Sequence, residues 1–309
     1  MEKSLKEFIR DAWGTQDSEW FPGPQPISIE RRHFPMLRRQ PYLVCEKTDG
    51  TRYMLVSWTF EERRVSVLVD RAFQTRPVAM AIPRDTVLDG ELVQGRDGKW
   101  LYMIYDAVLI KGQNVSAQPL TERLAAAAKL IKGVLRSTKD AFEMRVKTML
   151  PLESIHELKP LDQFPYETDG IVLTPVNEPV RTGTHETLFK WKPHDRITID
   201  FLVYGKYLCV QDKGQIYPEA EVTHQNVLDG TIVECGYGDK GWYPVKVRTD
   251  KTHPNNRRTY MRTIVNLREN ILLKEFLVFS NGKREELDNR GDVRQPQQVG
   301  SVHSSKLPV

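Results

Sequence analysis

Cysteine is scarce: the 309 residues hold three, Cys45, Cys209 and Cys235, far apart and odd in number. That excludes a disulfide framework and the paired spacing of a zinc site, and it fits a reducing intracellular compartment. Long apolar runs are missing too. Nothing approaches the ~18 uninterrupted apolar residues of a membrane span, and Met1-Glu2-Lys3-Ser4-Leu5-Lys6 lacks the apolar core of a secretory signal. No membrane partner is expected. Neither sign of charge dominates: 45 Lys and Arg face 41 Asp and Glu, for a net charge of +4. So mild an excess permits a polyanionic partner without requiring one. A dinucleotide fingerprint is also absent. Gly236-Tyr237-Gly238-Asp239-Lys240-Gly241 has the glycine spacing, but the strand-like Trp242 to Arg248 follows it where a helix is needed, so it reads as a Gly-rich hairpin.

What is present suits a soluble chain of more than one domain. Its length exceeds the usual single compact unit, and 39% hydrophobic with 28% charged residues is ordinary for a globular protein. Leu5, Phe8, Ile9 and Trp13 recur at helical spacing, and a Pro/Gly-rich connector runs from Phe21 to Pro26. Residues 41 to 110 read mostly as strands, Thr121 to Arg136 as the one long helix, and Phe142 to Met149, Gly170 to Val176 and Leu188 to Lys192 as further strands. After Pro193 short strands alternate with Gly-rich turns: Ile197 to Tyr204, Tyr207 to Gln211, Thr231 to Cys235 and Trp242 to Arg248. A helix-like stretch near Thr263 to Phe276 follows, and the pattern suggests a small β-barrel with a terminal helix. Beyond Asn281 the chain is polar and reads as disordered.

The segment that points to chemistry is Glu46-Lys47-Thr48-Asp49-Gly50-Thr51-Arg52-Tyr53, between the apolar stretches Pro41 to Cys45 and Met54 to Trp58. Asp-Gly between apolar runs is by itself a strong hairpin signal. The chain carries Asp-Gly five times, at Asp49, Asp89, Asp97, Asp169 and Asp229, so a turn alone says little. More telling is the series Asp89-Gly90-Glu91, Glu167-Thr168-Asp169-Gly170, Lys190-Trp191-Lys192-Pro193 and Arg248-Thr249-Asp250-Lys251. It alternates carboxylates, which can hold a divalent metal, with cations, which can neutralise phosphates. Lys190 and Lys192 lie two apart on an expected strand, so their side chains share a face.

In order and spacing these segments resemble the collinear motifs of the covalent nucleotidyltransferase superfamily, which comprises mRNA capping guanylyltransferases and polynucleotide ligases. Phe21-Pro22-Gly23-Pro24-Gln25-Pro26-Ile27-Ser28, Lys190 to Pro193 and Arg248 to Asn255 are similar to the guanylyltransferases in particular. The resemblance implies an α+β fold: a mainly antiparallel nucleotidyltransferase domain over residues 1–194, an OB-fold β-barrel domain with a terminal helix over 195–280, and a tail over 281–309. It implies that Lys47 is the nucleophile forming a lysyl-GMP phosphoramidate. A free lysine titrates near ~10.4, leaving about one in 2,500 neutral at neutral pH, so nearby cations such as Arg52, Lys190 and Lys192 must help it shed its proton. By the same resemblance Arg52 and Arg71 contact ribose and phosphate, Glu91 serves the ribose or the metal, and Asp169 serves the metal. Tyr105 stacks on guanine, with Tyr102 the alternative, and Lys147 points at the guanine carbonyl. Lys190 and Lys192 bind phosphate, and Arg248, Asp250 and Lys251 come from the barrel domain onto the pyrophosphate.

The expected activity is transfer of GMP from GTP, with Mg²⁺ or Mn²⁺, to a 5′-diphosphate RNA end to form the GpppN cap. No His-Cys-x5-Arg phosphatase loop and no methyltransferase glycine signature is found, so a separate RNA triphosphatase and cap methyltransferase are expected partners. The expected location is the nucleus for a cellular enzyme, or a virus-encoded origin. Two alternatives stand beside this reading: an ATP-dependent polynucleotide ligase, and a non-catalytic module that binds RNA 5′ ends.

Overall fold

The computed structural model describes residues 1–16, 20–135, 140–222, 227–249 and 251–279. Asp250 and the tail from residue 280 onward, including the expected disorder beyond Asn281, lie outside the described residues. The chain divides into two compact units, the first Met1–Lys192 together with the segment from Leu273, the second Pro193–Leu272.

Two sheets build the first unit. One runs in the order Thr75–Pro77, Arg63–Val69, Thr51–Phe60, Thr86–Gln94, Trp100–Ile110, Gln113–Asn114, with Glu143–Val146 added parallel to Trp100–Ile110. The other runs Gln25–Ser28, Thr184–Trp191, Thr168–Pro175, Tyr42–Thr48, Leu150–Pro151. All pairs are antiparallel except Gln25–Ser28 with Thr184–Trp191 and Glu143–Val146 with Trp100–Ile110. Alternation along Thr51–Phe60 sends Leu55 to one face, with Leu88, Ile104 and Leu130. It sends Met54, Val56 and Trp58 to the other, where Leu5 and Ile9 of the amphipathic helix Glu2–Trp13 cover them. The helix Leu120–Lys132 buries Leu120, Leu124, Ala127, Leu130 and Ile131.

The strands flanking Asp49–Gly50 do not pair with each other. Tyr42–Thr48 pairs with Thr168–Pro175 in one sheet and Thr51–Phe60 with Arg63–Val69 and Thr86–Gln94 in the other. The turn is therefore a corner between sheets rather than a hairpin. Glycine is required there because a Cβ on Gly50 would lie 2.5 Å from the Leu92 carbonyl oxygen.

The second unit is a five-stranded antiparallel sheet in the order Gln215–Glu221, Tyr207–Asp212, Thr198–Tyr204, Ile232–Gly238, Gly241–Val247. Its core centres on Phe201, Trp242 and Tyr260. The Gly-rich hairpin is present, with Gly238 opposite Gly241. The outermost strands, Gln215–Glu221 and Gly241–Val247, are not paired with each other among the described residues. Gln215–Glu221 has no sequence signal because Gln215, Pro218, Glu219 and Glu221 break any apolar alternation. The expected helix near Thr263–Phe276 is two elements. An α-helix, Arg257–Glu269, starts at Asn256, whose Oδ1 accepts the Thr259 N–H at 2.8 Å, and stops at Asn270 with φ 42°. A separate 3₁₀ turn, Leu273–Phe279, belongs to the first unit, where Phe276 is fully buried.

Candidate active site

Lys47 stands one residue before the end of Tyr42–Thr48, at the corner between sheets, with its Cα opposite Gly170. Glycine at 170 keeps the adjoining strands close, because a Cβ there would collide with the Trp191 carbonyl oxygen. This packing brings three charged side chains to one point: Lys47 Nζ lies 2.8 Å from Asp169 Oδ1, and Lys192 Nζ lies 2.6 Å from Asp169 Oδ2. Burial pushes the Asp169 carboxyl up, but Lys192 and Lys47 outweigh it, so its pKa falls below the ordinary carboxylate value. Lys190, half-buried beside them, is pushed down to about 8 by burial and then by Lys192 and Lys47. Its ammonium has no ion-pair partner among the described residues, whereas Lys192 is held by Asp169. Trp191 between them faces the other way, edge-on to Phe276 at 6.0 Å.

A second cluster sits on the neighbouring sheet. Arg52 grips Asp89 with two nitrogens at 3.0 and 2.5 Å and donates to the Pro24 carbonyl at 2.7 Å. Its guanidinium lies over Phe21 at 5.1 Å and over Tyr105 at 5.7 Å. Burial lowers the Arg52 pKa, and the Asp89 charge more than reverses this, so Arg52 stays charged. Tyr105 donates its hydroxyl to Asp89 at 3.0 Å, and burial raises its pKa well above the usual phenol value. Glu91, opposite Arg52 in the ladder, accepts from the Thr48 hydroxyl, which ties this cluster to the strand that carries Lys47. Arg71 feels Arg52, Asp89 and Glu91 and is itself felt by Lys190; desolvation and Arg52 lower its pKa.

The remaining residues are placed differently. Tyr102 is fully buried, donating to the Tyr53 and Leu88 carbonyls and accepting from the Leu55 N–H. It is a core residue and not an alternative stacking partner. Lys147 is 5% exposed and donates to the Glu46 carbonyl at 2.7 Å, with the Glu46 carboxylate 3.3 Å away. In the second unit Arg248 lies 2.8 Å from Asp200, and Lys251 lies 3.8 Å from the same carboxylate. Asp250 lies outside the described residues.

Carboxylate oxygens are the donor type that a hard divalent cation takes. Asp169 and Glu91 offer carboxylate oxygens, and Mg²⁺ commonly takes one or two protein carboxylates and completes its shell with substrate phosphates and water. No cluster of three or more candidate ligands occurs among the described residues. Asp89, fully buried, is the site residue that sequence reasoning missed. Its signal was its place two before Glu91, on the same face and diagonal to Arg52. Glu46 and Tyr166, joined at 3.0 Å beneath Lys47, had no such signal.

The chain belongs to the mRNA capping enzyme family: the model of the catalytic domain matches residues 1–194 and that of the C-terminal domain matches residues 196–277. It is 29% identical to an mRNA-capping enzyme of Danio rerio over 85% of this chain and 50% of the relative. It is 26% identical to the Mus musculus enzyme over 83% of this chain and 49% of the relative. With an mRNA-capping enzyme subunit alpha of Yarrowia lipolytica it shares 27% identity over 83% of this chain and 81% of the relative. It thus spans about half the length of the two vertebrate relatives. A solved Lig E DNA ligase structure superposes loosely, with a TM-score of 0.41 at 16% identity over 74% of this chain and 99% of that one. No helix among the described residues is long and apolar enough to cross a membrane.

Proposed function

We propose that this chain is an mRNA guanylyltransferase: it takes GTP, forms a Lys47–GMP phosphoramidate with release of pyrophosphate, and passes GMP to a 5′-diphosphate RNA end as a GpppN cap. The observation that carries the reading is Lys47 held 2.8 Å from Asp169 at the junction of two sheets, beside Lys190 and Lys192, in a chain of the capping enzyme family. Asp169 orients the Lys47 amine. In the first step the neutral nitrogen attacks the α-phosphorus, the N–P bond forms as the nitrogen gives up a proton to solvent, and the P–O bond to pyrophosphate breaks with its electrons on the leaving oxygen. In the second step the terminal phosphate oxygen of RNA attacks the same phosphorus, and the N–P bond breaks as the nitrogen takes up a proton, returning the lysine.

Lys190, Lys192, Arg52 and Arg71 neutralise phosphate charge, with Arg248, Asp250 and Lys251 supplied by the second unit for the pyrophosphate. Tyr105 stacks on guanine, and Lys147, bonded to Glu46 here, is the cation for the guanine carbonyl. A divalent cation, Mg²⁺ or Mn²⁺, would be held by Asp169 and Glu91 and would supply positive charge to the phosphates. A separate RNA triphosphatase supplies the diphosphate end and a cap methyltransferase consumes the product; the setting is the nucleus for a cellular enzyme. The test is incubation with GTP or ATP labelled on the α-phosphate, followed by a denaturing gel and intact mass, on wild type and Lys47→Ala. A GMP adduct lost in Lys47→Ala supports the reading. An AMP adduct replaces it with ligase, and no adduct with either nucleotide replaces it with an RNA 5′-end binding module.

A further inference from the structure

The outer face of the second unit carries an aromatic side chain that neither the core nor the transfer chemistry uses. Tyr243, on the terminal strand Gly241–Val247, lies opposite Gly236. Its ring rests on bare backbone: a Cβ built on Gly236 would lie 2.7 Å from Tyr243 Cζ, and one on Gly238 would lie 3.3 Å from Cε1. One side of the ring is thereby fixed against two glycines, while the residue stays 38% exposed. Tyr237, by contrast, turns to the other face and packs edge-on to Trp242 at 5.0 Å.

The surroundings of Tyr243 are charged rather than apolar. Glu234 lies two residues before Gly236 and faces Lys246 on one side and Asp200 on the other, so all share its face of the sheet. Both acids are answered by cations: Arg248 reaches Asp200 at 2.8 Å and Glu234 at 3.7 Å, and Lys251 reaches Asp200 at 3.8 Å. Lys246 is exposed and has no ion-pair partner among the described residues. Tyr243 pairs with Gly236 and Lys246 with Glu234, so the ring and this cation stand two ladder positions apart on one face, roughly 7 Å at about 3.3 Å per residue. A pre-positioned ring with a free face, in line with cations, is the arrangement that binds single-stranded nucleic acid: bases stack on the ring while the backbone follows the charge.

We propose that Tyr243 is a stacking platform for a nucleobase of the single-stranded acceptor RNA, with Lys246 and Arg248 alongside its phosphates. The proposal rests on the guanylyltransferase reading for the identity of the ligand. Tyr243 varies the RNA affinity of the second step and touches no atom that reacts in the first.

The rival role for the ring is structural, covering the exposed backbone of Gly236 as aromatic residues do over sheet glycines. Leucine can cover backbone but cannot stack, and phenylalanine can do both, so the pair separates the roles. The experiment is fluorescence anisotropy of a labelled 5′-diphosphate RNA oligonucleotide with the full chain, without GTP, for wild type, Tyr243→Leu and Tyr243→Phe. Each protein's melting temperature is recorded alongside. Tyr243→Leu is expected to raise Kd about tenfold with Tyr243→Phe near wild type, and an RNA duplex of the same length should not distinguish the three. Equal Kd for Tyr243→Leu and wild type overturns the platform, as does a loss in Tyr243→Phe equal to that in Tyr243→Leu. Failure of the guanylyltransferase reading shows separately, as absence of a GMP adduct on the wild-type protein.

Discussion

At the scale of single residues the site is an arrangement of cations around one shared carboxylate, and its electrostatics make testable statements. Asp169 holds both Lys47 and Lys192, so Asp169→Asn removes the charge that orients the amine and leaves two ammonium groups facing each other. Adduct formation is expected to fall at least a hundredfold, measured as the initial rate of labelled GMP incorporation. Lys190 carries a pH dependence. Burial and its neighbours lower it to about 8, so the ammonium is intact below that pH and is lost as pH rises through it. GTP affinity, measured by calorimetry, is expected to weaken across that window, and Lys190→Arg, which stays charged, is expected to flatten the profile. The linkage to stability has the opposite sign. The native state releases this proton earlier than the unfolded chain, so the cost of burying the ammonium is relieved as pH climbs from about 8 toward ~10.4. The cysteines give a control on the fold: all are buried, and burial raises Cys45 to about 12, Cys209 to about 11 and Cys235 to about 12. A thiol reagent is expected to leave the native protein unlabelled and to modify three groups after denaturation.

At the scale of elements, one buried ion pair ties the strand bearing Tyr105 to the long helix. Arg123, 2% exposed, grips Asp106 with nitrogens at 2.7 and 2.9 Å and donates to the Gln118 and Glu178 carbonyls at 2.5 and 3.1 Å. Burial raises the Asp106 pKa and Arg123 opposes the rise. Arg123→Met leaves the carboxylate buried without its partner and is expected to destabilise the fold by about 3–5 kcal/mol, read from urea unfolding. None of this was legible, because Arg123 sits in a helical pattern as an ordinary polar residue and only the fold turns it inward. The strands were legible because runs such as Trp100–Ile110 are rich in β-branched and aromatic residues. The corner at Asp49–Gly50 was not, because a turn that changes sheet and a hairpin turn use the same residues. What separates them is the distant partner of each strand, and a local pattern carries no trace of it. Lys47, Asp169 and Lys192 were singled out by the motifs that resemble the nucleotidyltransferases, and the fold brings their side chains together. Asp89 was passed over because its Asp-Gly reads as a turn, whereas the fold holds it mid-strand in Thr86–Gln94 with its side chain on Arg52.

At the scale of the whole chain, two units were expected from length and texture, and residues 273–279 show how a contiguous reading of sequence misplaces a segment. Leu273-Lys274-Glu275-Phe276-Leu277-Val278-Phe279 continues an apolar spacing that begins in the preceding helix, so it reads as part of it. Asn270 breaks the continuity. In the left-handed conformation at φ 42° it ends the helix, as asparagine does more readily than other non-glycine residues. The chain then supplies the first unit with Phe276, fully buried against Trp191 at 6.0 Å and Phe34 at 5.6 Å, and with an Arg31–Glu275 ion pair. The first unit is therefore discontinuous in sequence. Phe276→Ala removes a large buried ring and is expected to cost the first unit about 3–5 kcal/mol. Hydrogen exchange is the measurement. Amides of Thr184–Trp191 and Tyr42–Thr48 should exchange faster in Phe276→Ala, while those of Thr198–Tyr204 and Ile232–Gly238 keep their wild-type rates. Equal acceleration in both sets would mean that Phe276 supports the chain as one cooperative body, and no acceleration would mean that the segment is an ornament on a unit complete without it.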